Sequence, residues 1–209
     1  MRLVLASNNA KKLAELQALL APAGVELVTQ ASLGVDEAAE PFHTFIENAL
    51  VKARHAARHT GGPAIADDSG LCVDARGGAP GVISAHFAAL TVRAADREAH
   101  RHAQDAANNT LLLARLHGVA DRRARFIGTL VAVRAADDPE PLVAVGRWFG
   151  EILQAPRGEG GFGYDPLMFI PALGCAVAEL SSALKNAHSH RAIAVAQMVA
   201  LMREAWHLG

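Results

Sequence analysis

The segment Ala64-Ile65-Ala66-Asp67-Asp68-Ser69-Gly70 runs three small apolar residues straight into two adjacent aspartates. A short apolar run bounded by glycine reads as a buried strand. Carboxylates in such a place are costly unless something pairs with them. Two side by side at a strand end suit a divalent cation, a catalytic proton acceptor, or both. The same residues also suit a strand ending in an Asx turn, where Asp and Ser bond nearby backbone N–H groups.

Five further groups of residues could serve phosphate, metal or base chemistry. Ser7-Asn8-Asn9-Ala10-Lys11-Lys12 joins an apolar run to a helical pattern. A helix N-terminus offers free N–H groups and a positive dipole end to phosphate. Ser7 and Asn9 are also ordinary capping residues. Lys11 and Lys12 oppose the dipole unless a polyanion binds there. The glycines of a Walker loop are missing. Lys52 shares a helix face with Phe45, Ala49 and Ala56, so it either snorkels past the core edge or aims at negative charge in a pocket. Upstream, Asp36-Glu37-Ala38-Ala39-Glu40 is a solvated acidic cluster or the source of a second metal carboxylate beside Asp68; Mg²⁺ is commonly held by one or two carboxylates plus phosphate and water.

Toward the C-terminus, Gly158-Glu159-Gly160-Gly161-Phe162-Gly163-Tyr164-Asp165-Pro166 surrounds two aromatics with glycines. Glycine lets a backbone approach a ligand, and an aromatic in such a loop can stack on a base. A hairpin end with Phe162 plugging the core fits equally. Lys185 to Arg191 follows, with Ser189 a natural N-cap and His190 and Arg191 in the first helical turn.

The elements that must position these residues follow from periodicity and punctuation. Leu3 to Ala6 and Val25 to Val28 read as strands, and Ala10 to Leu20 as a helix ended by Pro22 and Gly24. Thr44 to His59 reads as a helix opened by a Thr44/Glu47 capping box and stopped by Gly61-Gly62-Pro63. Ile65 to Asp67 and Leu71 to Asp74 read as two short strands, and Arg93 to Leu116 as mainly helical. Arg125 to Arg134 and Leu142 to Ile152 read as paired strands, and His190 to Trp206 as a final amphipathic helix. Helices alternating with strands, then a long hairpin, predict an α/β fold on a mixed sheet.

The chain has 209 residues, 51% hydrophobic and 20% charged, which suits a folded domain with a sizeable core. No run approaches the roughly 18 apolar residues of a membrane span, and the start does not read as a secretion signal. Two cysteines, Cys72 and Cys175, predict a reducing compartment rather than a disulfide framework. A net charge of −1 argues against a broad footprint for nucleic acid, though not against a nucleotide pocket.

In their order, these pieces resemble the inosine/xanthosine triphosphate pyrophosphatases, the Ham1 or noncanonical purine NTP pyrophosphatase family. Ser7-Asn8-Asn9-Ala10-Lys11-Lys12 resembles its phosphate-binding start, and Thr44 to Ala53 its second helix motif. Asp67-Asp68-Ser69-Gly70-Leu71 with Gly78-Ala79-Pro80-Gly81-Val82 resembles its acidic core. Phe162-Gly163-Tyr164-Asp165-Pro166 and Ser189-His190-Arg191 complete the set, so the likeness runs nearly end to end. The resemblance implies one pyrophosphatase domain over residues 1–209, with an elongated central mixed β-sheet flanked by helices and two lobes with a deep active-site cleft. It also implies a cytoplasmic homodimer that requires Mg²⁺. The implied reaction cuts ITP, dITP or XTP between the α and β phosphates, releasing the monophosphate and pyrophosphate and cleansing the nucleotide pool. Asp68 would be proton acceptor and metal ligand, with Glu40 the second carboxylate and Glu37 its alternative. Ser7, Asn9, Lys12, Lys52 and Ser69 would meet the triphosphate. Phe162, Gly163, Tyr164, Asp165, Lys185, His190 and Arg191 would hold the base, with donors such as Lys185 and Arg191 favouring a 6-keto oxygen over the 6-amino group of adenine. Guanine shares that keto group, so this argument alone does not exclude GTP.

Three departures from the pattern stand out: Lys11 and Phe42 where glycine is usual, and Ser84-Ala85-His86-Phe87-Ala88-Ala89 in place of S-A-R-Y-x-G. The region from Leu90 to Asn108 is also longer than the pattern and rich in Ala, Arg and His. Two other functions compete: a pyrophosphatase for pyrimidine or modified nucleotides, as in the similar-shaped Maf proteins, and a nucleotide-binding module without turnover.

Overall fold

A computed structural model describes residues 1–90 and 97–208. In chain order the elements are β1 (Arg2–Leu5), α1 (Ala10–Leu20), β2 (Glu26–Thr29), α2 (Phe45–Thr60), β3 (Ala64–Val73), α3 (Arg97–Arg115), β4 (Arg123–Val133), β5 (Leu142–Ile152), β6 (Met168–Ile170), β7 (Cys175–Ala176), α4 (Ser182–His188) and α5 (His190–Trp206). The strands form one seven-stranded sheet in the order β2-β1-β3-β4-β5-β6-β7. β1 runs parallel to β2 and β3, with Val4 opposite Ala64 and Leu5 opposite Ile65. β6 runs antiparallel to β5 and to β7, so the sheet is mixed, as the sequence implied.

The chain divides into two compact units: Met1–Ser69, Ile127–Arg147 and Asn186–Gly209 make the first, Gly70–Phe126 and Trp148–Lys185 the second. In the first, Leu3, Leu5, Leu16, Leu20, Ile65, Leu130, Met198 and Met202 form a buried cluster. At about 2 kcal/mol for each fully buried leucine, this cluster is a main source of stability. A second cluster sets Ala49, Ala53, Ala56 and Ala57 of α2 against Ala6, Ala64, Ala66, Val131 and Val133. The core of the other unit is built from Leu71, Leu112, Leu116, Trp148, Tyr164, Leu167 and Met168.

Helix starts follow their caps. The Asn9 side chain accepts from the N–H groups of Lys11 and Lys12 to open α1, and Ser189 accepts from Ala192 to open α5. Thr44 accepts from the Glu47 N–H at 3.2 Å, while its hydroxyl donates to the Glu47 carboxylate at 2.6 Å. The expected capping box is thus present in altered form, with hydroxyl to carboxylate replacing the reciprocal backbone contact. Gly61, at φ +67°, closes α2 in the left-handed region that glycine favours.

The acidic segment differs from expectation. Two short strands with Asp67 and Asp68 at a strand end were predicted, but β3 runs unbroken for ten residues and carries both aspartates in mid-strand. Side-chain partners from other elements make this tolerable. In the expected Arg93–Leu116 helix, α3 covers Arg97–Arg115, and residues 93–96 lie outside the described residues. β6, β7 and α4 were not expected; at three, two and seven residues they are too short to show a period.

Candidate active site

Asp67 and Asp68 are consecutive in β3, and successive strand residues point to opposite faces. Each therefore meets a different set of helices. Asp68 meets α2: Lys52 Nζ donates to Asp68 Oδ1 at 2.9 Å, to Glu40 Oε2 at 2.7 Å and to the Asp67 carbonyl at 3.2 Å. These three acceptors match the three N–H bonds of an ammonium. The face of α2 that buries Ala49, Ala53 and Ala56 also buries Lys52, so of the two readings its spacing left open, the structure has the lysine aimed at carboxylates rather than snorkelling outward.

Asp68 Oδ2 is buried and has no hydrogen-bond partner. Burial pushes the Asp68 carboxyl up to about 6, helped by the Glu40 carboxylate and opposed by Lys52 and Lys12. Burial also disfavours the charge on Glu40, but Lys52 outweighs it and holds Glu40 below the usual glutamate range. For Lys52 itself, the desolvation that would lower its pKa is overcome by Asp68 and Glu40, which hold it above the ordinary lysine value.

Asp67 meets α1 and α5. Lys12 Nζ lies 2.8 Å from Asp67 Oδ2, and Arg191 Nε and Nη2 each lie 3.4 Å from the same oxygen. Arg191 also donates to Ser69 Oγ at 2.7 Å and to Glu15 Oε2 at 2.8 Å, while Ser69 Oγ donates to Asp67 Oδ2 at 3.2 Å. Burial alone would raise the Asp67 pKa, but Lys12 and Arg191 together drive it far below the carboxylate range. Lys12 is lowered, chiefly by burial and also by Arg191 and Lys52, against the pull of Asp67. A cation at a helix start is unfavourable; here carboxylates from elsewhere in the fold compensate both Lys12 and Arg191.

Two glycines allow α5 to deliver His190 and Arg191. A Cβ at Gly146 would collide with the His190 carbonyl oxygen and lie 2.7 Å from Ala194 N. A Cβ at Gly128 would lie 2.9 Å from His190 Cδ2. At the start of α1, Ser7 Oγ accepts from Asn9 N at 3.2 Å, so Ser7 and Asn9 both shape this turn.

Glu40 is held in place indirectly. Asn48 accepts from Phe42 N at 3.0 Å and donates to Phe42 O at 3.2 Å, pinning the segment that leads out of Glu40. The Phe42 ring is exposed and its φ is not positive, so the backbone does not require the usual glycine here. Of the two acidic candidates, Glu40 is the one bonded to Lys52. Among the described residues, no group of three or more His, Cys, Asp and Glu side chains is placed so that it could hold a metal ion. Glu40 with the unpartnered Asp68 Oδ2 does fit Mg²⁺, which takes few protein carboxylates and completes its shell with phosphate and water.

The second unit gathers the other predicted residues. Asp165 Oδ2 accepts from Lys185 Nζ at 2.8 Å and from Phe162 N at 2.9 Å. The Lys185 ammonium also stands 4.6 Å from the centre of the Phe162 ring, a cation–π contact. The Tyr164 ring belongs to the buried core, and its hydroxyl donates to Ser84 O at 2.9 Å. Thus Tyr164, rather than Phe162, plugs the core, and the Phe162 ring stays half-buried. The sequence reading missed Glu15; its one signal is a spacing of three from Lys12, which any exposed helical glutamate could share.

Comparison with known proteins gives the family of the chain. The Ham1 family model matches residues 3–201. The chain is 71% identical over 211 aligned positions to the dITP/XTP pyrophosphatase of Leptothrix cholodnii, covering all of both chains. It is 69% identical to that of Methylibium petroleiphilum, covering 99% of each. Among solved structures, a HAM1 protein from Coxiella burnetii matches with a TM-score of 0.86 at 40% identity, covering 98% of this chain and 100% of that one. The Ham1 protein of Staphylococcus aureus matches with a TM-score of 0.82 at 32% identity, covering 98% and 99%.

Proposed function

The chain belongs to the Ham1 family, and from that footing we propose that it is a nucleoside triphosphate pyrophosphatase acting on noncanonical purine nucleotides: ITP, dITP and XTP. The products are the nucleoside monophosphate and pyrophosphate, and the cellular role is to cleanse the nucleotide pool. The observation that carries this reading is the Glu40–Lys52–Asp68 cluster, in which a buried carboxyl with a raised pKa keeps one oxygen without a partner.

The Asp68 carboxylate accepts a proton from water as the water oxygen bonds to the α phosphorus; the bond from that phosphorus to the α–β bridging oxygen breaks and pyrophosphate leaves. A base with a pKa near 6 is ionised at neutral pH yet still basic enough to help, which is the useful compromise for general-base catalysis. Lys52 holds Asp68 Oδ1 and so orients the carboxyl. Lys12, Lys52, Ser7, Asn9 and Ser69 supply the cationic and polar groups for the triphosphate, where fixed charge offsets the charge that develops on the leaving group. Glu40 and Asp68 would hold Mg²⁺, which when bound draws charge from the phosphoryl oxygens.

Base recognition is assigned to Phe162, Gly163, Tyr164, Asp165, Lys185, His190 and Arg191. Support comes from the Lys185 ammonium, a donor held against the Phe162 ring, since a donor favours a 6-keto purine over a 6-amino one. Residues 1–209 serve as one pyrophosphatase domain, and we take the active form to be a cytoplasmic homodimer. Among the described residues, no helix is long and apolar enough to cross a membrane.

The test is a panel of triphosphates (ITP, dITP, XTP, GTP, ATP, UTP, dTTP) assayed for pyrophosphate release with and without Mg²⁺. Turnover of ITP, dITP and XTP far above ATP is expected, and only with Mg²⁺. Equal kcat/KM for ITP and ATP contradicts the substrate class, a preference for pyrimidines favours the Maf-like alternative, and binding without turnover favours a nucleotide-binding module.

A further inference from the structure

The loop that carries Phe162 has unusual conformational freedom. Gly161 and Gly163 flank the aromatic residue with φ of +75° and +64°, a region glycine enters at little cost. Freedom of this kind must be removed before a ring and an ammonium can present a fixed surface. Helix α3 removes it. Asp105 Oδ2 accepts from Gly163 N at 2.8 Å, and Asn109 Nδ2 donates to Gly163 O at 2.9 Å. The two side chains lie four residues apart on one helix face, so they grip the N–H and the C=O of the same residue.

The helix is itself braced. Asn108 Oδ1 accepts from Ala88 N at 2.8 Å, its Nδ2 reaches the Ser84 and Ala85 carbonyls at 3.2 Å, and Gln104 Nε2 donates to Ala88 O at 2.8 Å. Ser84 O also accepts from the Tyr164 hydroxyl. Leu112, farther along α3, and Leu116, just past its end, are fully or almost fully buried. Helix, turn and loop are therefore one hydrogen-bonded body within the second unit.

We propose that Asp105 and Asn109 are positioning residues for base selection: by fixing both backbone polar groups of Gly163 they set the Phe162–Lys185 surface that discriminates 6-keto from 6-amino purines. This gives a role to Asp105 within the Leu90–Asn108 stretch. The proposal rests on the assignment of Phe162 to Asp165 as the base-holding loop.

The experiment compares the parent protein with Asp105→Ala, Asp105→Asn and Asn109→Ala, measuring kcat and KM for ITP and ATP and the inhibition constant of inorganic tripolyphosphate, which has no base. Asp105→Ala is expected to raise KM for ITP about ten-fold, the scale of one hydrogen bond to a charged group, and Asn109→Ala about five-fold, the scale of a neutral one. Their kcat should stay within about two-fold, with the ITP-to-ATP preference reduced and tripolyphosphate inhibition unchanged. Asp105→Asn keeps an acceptor for Gly163 N and should restore most of the loss. Unchanged KM in both alanine variants overturns the proposal, as does a tripolyphosphate constant that shifts along with ITP, or an Asp105→Asn variant as poor as Asp105→Ala. A parent that turns over no triphosphate overturns the functional reading and this proposal with it; a parent active on ITP beside unaltered variants overturns this proposal alone.

Discussion

Lys52 Nζ lies 2.9 Å from one oxygen of Asp68, while the other oxygen of that carboxyl is buried with no partner. The pair gives the base a fixed direction and leaves its working atom available. Because burial holds the Asp68 carboxyl up at about 6, the base is protonated and idle below that pH. The kcat/KM for ITP should therefore rise through a limb centred near pH 6 and level off above it. Asp68→Asn should cost between about 10² and 10⁴ in kcat; an active Asp68→Asn enzyme, or one that keeps the same limb, removes Asp68 from the role.

Glu40 is half-exposed at the side chain (45%), so its loss should trouble metal binding rather than folding. Glu40→Gln is expected to raise the Mg²⁺ concentration for half-maximal rate by about 10-fold or more, on the scale of losing a supporting ligand group. Chelation with EDTA should stop turnover in the parent. Thermal melting of Glu40→Gln without metal should show only a modest loss, about 1 kcal/mol, because Lys52 keeps Asp68 as its partner. An unchanged Mg²⁺ titration assigns the second carboxylate elsewhere.

Asp67 carries a different burden. Asp67→Asn leaves Lys12 and Arg191 without their shared counter-charge, and breaking a buried ion pair costs about 3–5 kcal/mol. The pKa of Asp67 is depressed in the fold, so its stabilising contribution is present above the unfolded value of about 4 and is lost as pH falls below it. Urea unfolding should show a large deficit for Asp67→Asn at pH 7 that narrows toward pH 3. A deficit that does not depend on pH would contradict the electrostatic account.

Gly146 and Gly128 both face the start of α5, but their neighbours differ. At Gly146 a Cβ meets the His190 and Ala194 backbone, whereas at Gly128 the nearest atom is a carbon of the His190 ring, which can turn aside. Gly146→Ala should destabilise by about 1–3 kcal/mol through forced movement of α5, and activity should fall with it. Gly128→Ala should be milder in denaturant melts. The reverse order would show that the α5 backbone yields more easily than the His190 ring.

Local signals carried much of the architecture. Asn9 and Ser189 fix where α1 and α5 begin, and hydrophobic spacing fixes their extent, so both helices were legible residue by residue. The same spacing put Lys52 on the apolar face of α2 but left open whether it snorkels outward or meets carboxylates. The course of β3 was not, because Asp-Asp-Ser-Gly has the chemistry of a turn. What keeps those residues extended are cations from α1, α2 and α5, and nothing nearby in sequence announces them. Glu15, Asp105 and Asn109 were hidden likewise: polar residues on helices look solvated until their distant partners are known.

The sharing of one Asp67 oxygen between Lys12 and Arg191 also constrains how such a chain can drift over generations. A change that neutralises either cation leaves the carboxylate with only the other to compensate it, and a change at Asp67 strands Lys12 and leaves Arg191 to Glu15. Substitutions at the three positions should be strongly epistatic, with double variants less harmful than their single changes would sum to. Lineages that relinquish one of these charges are expected to relinquish the others nearby in time, although 55 and 124 residues separate Asp67 from Lys12 and Arg191 along the chain.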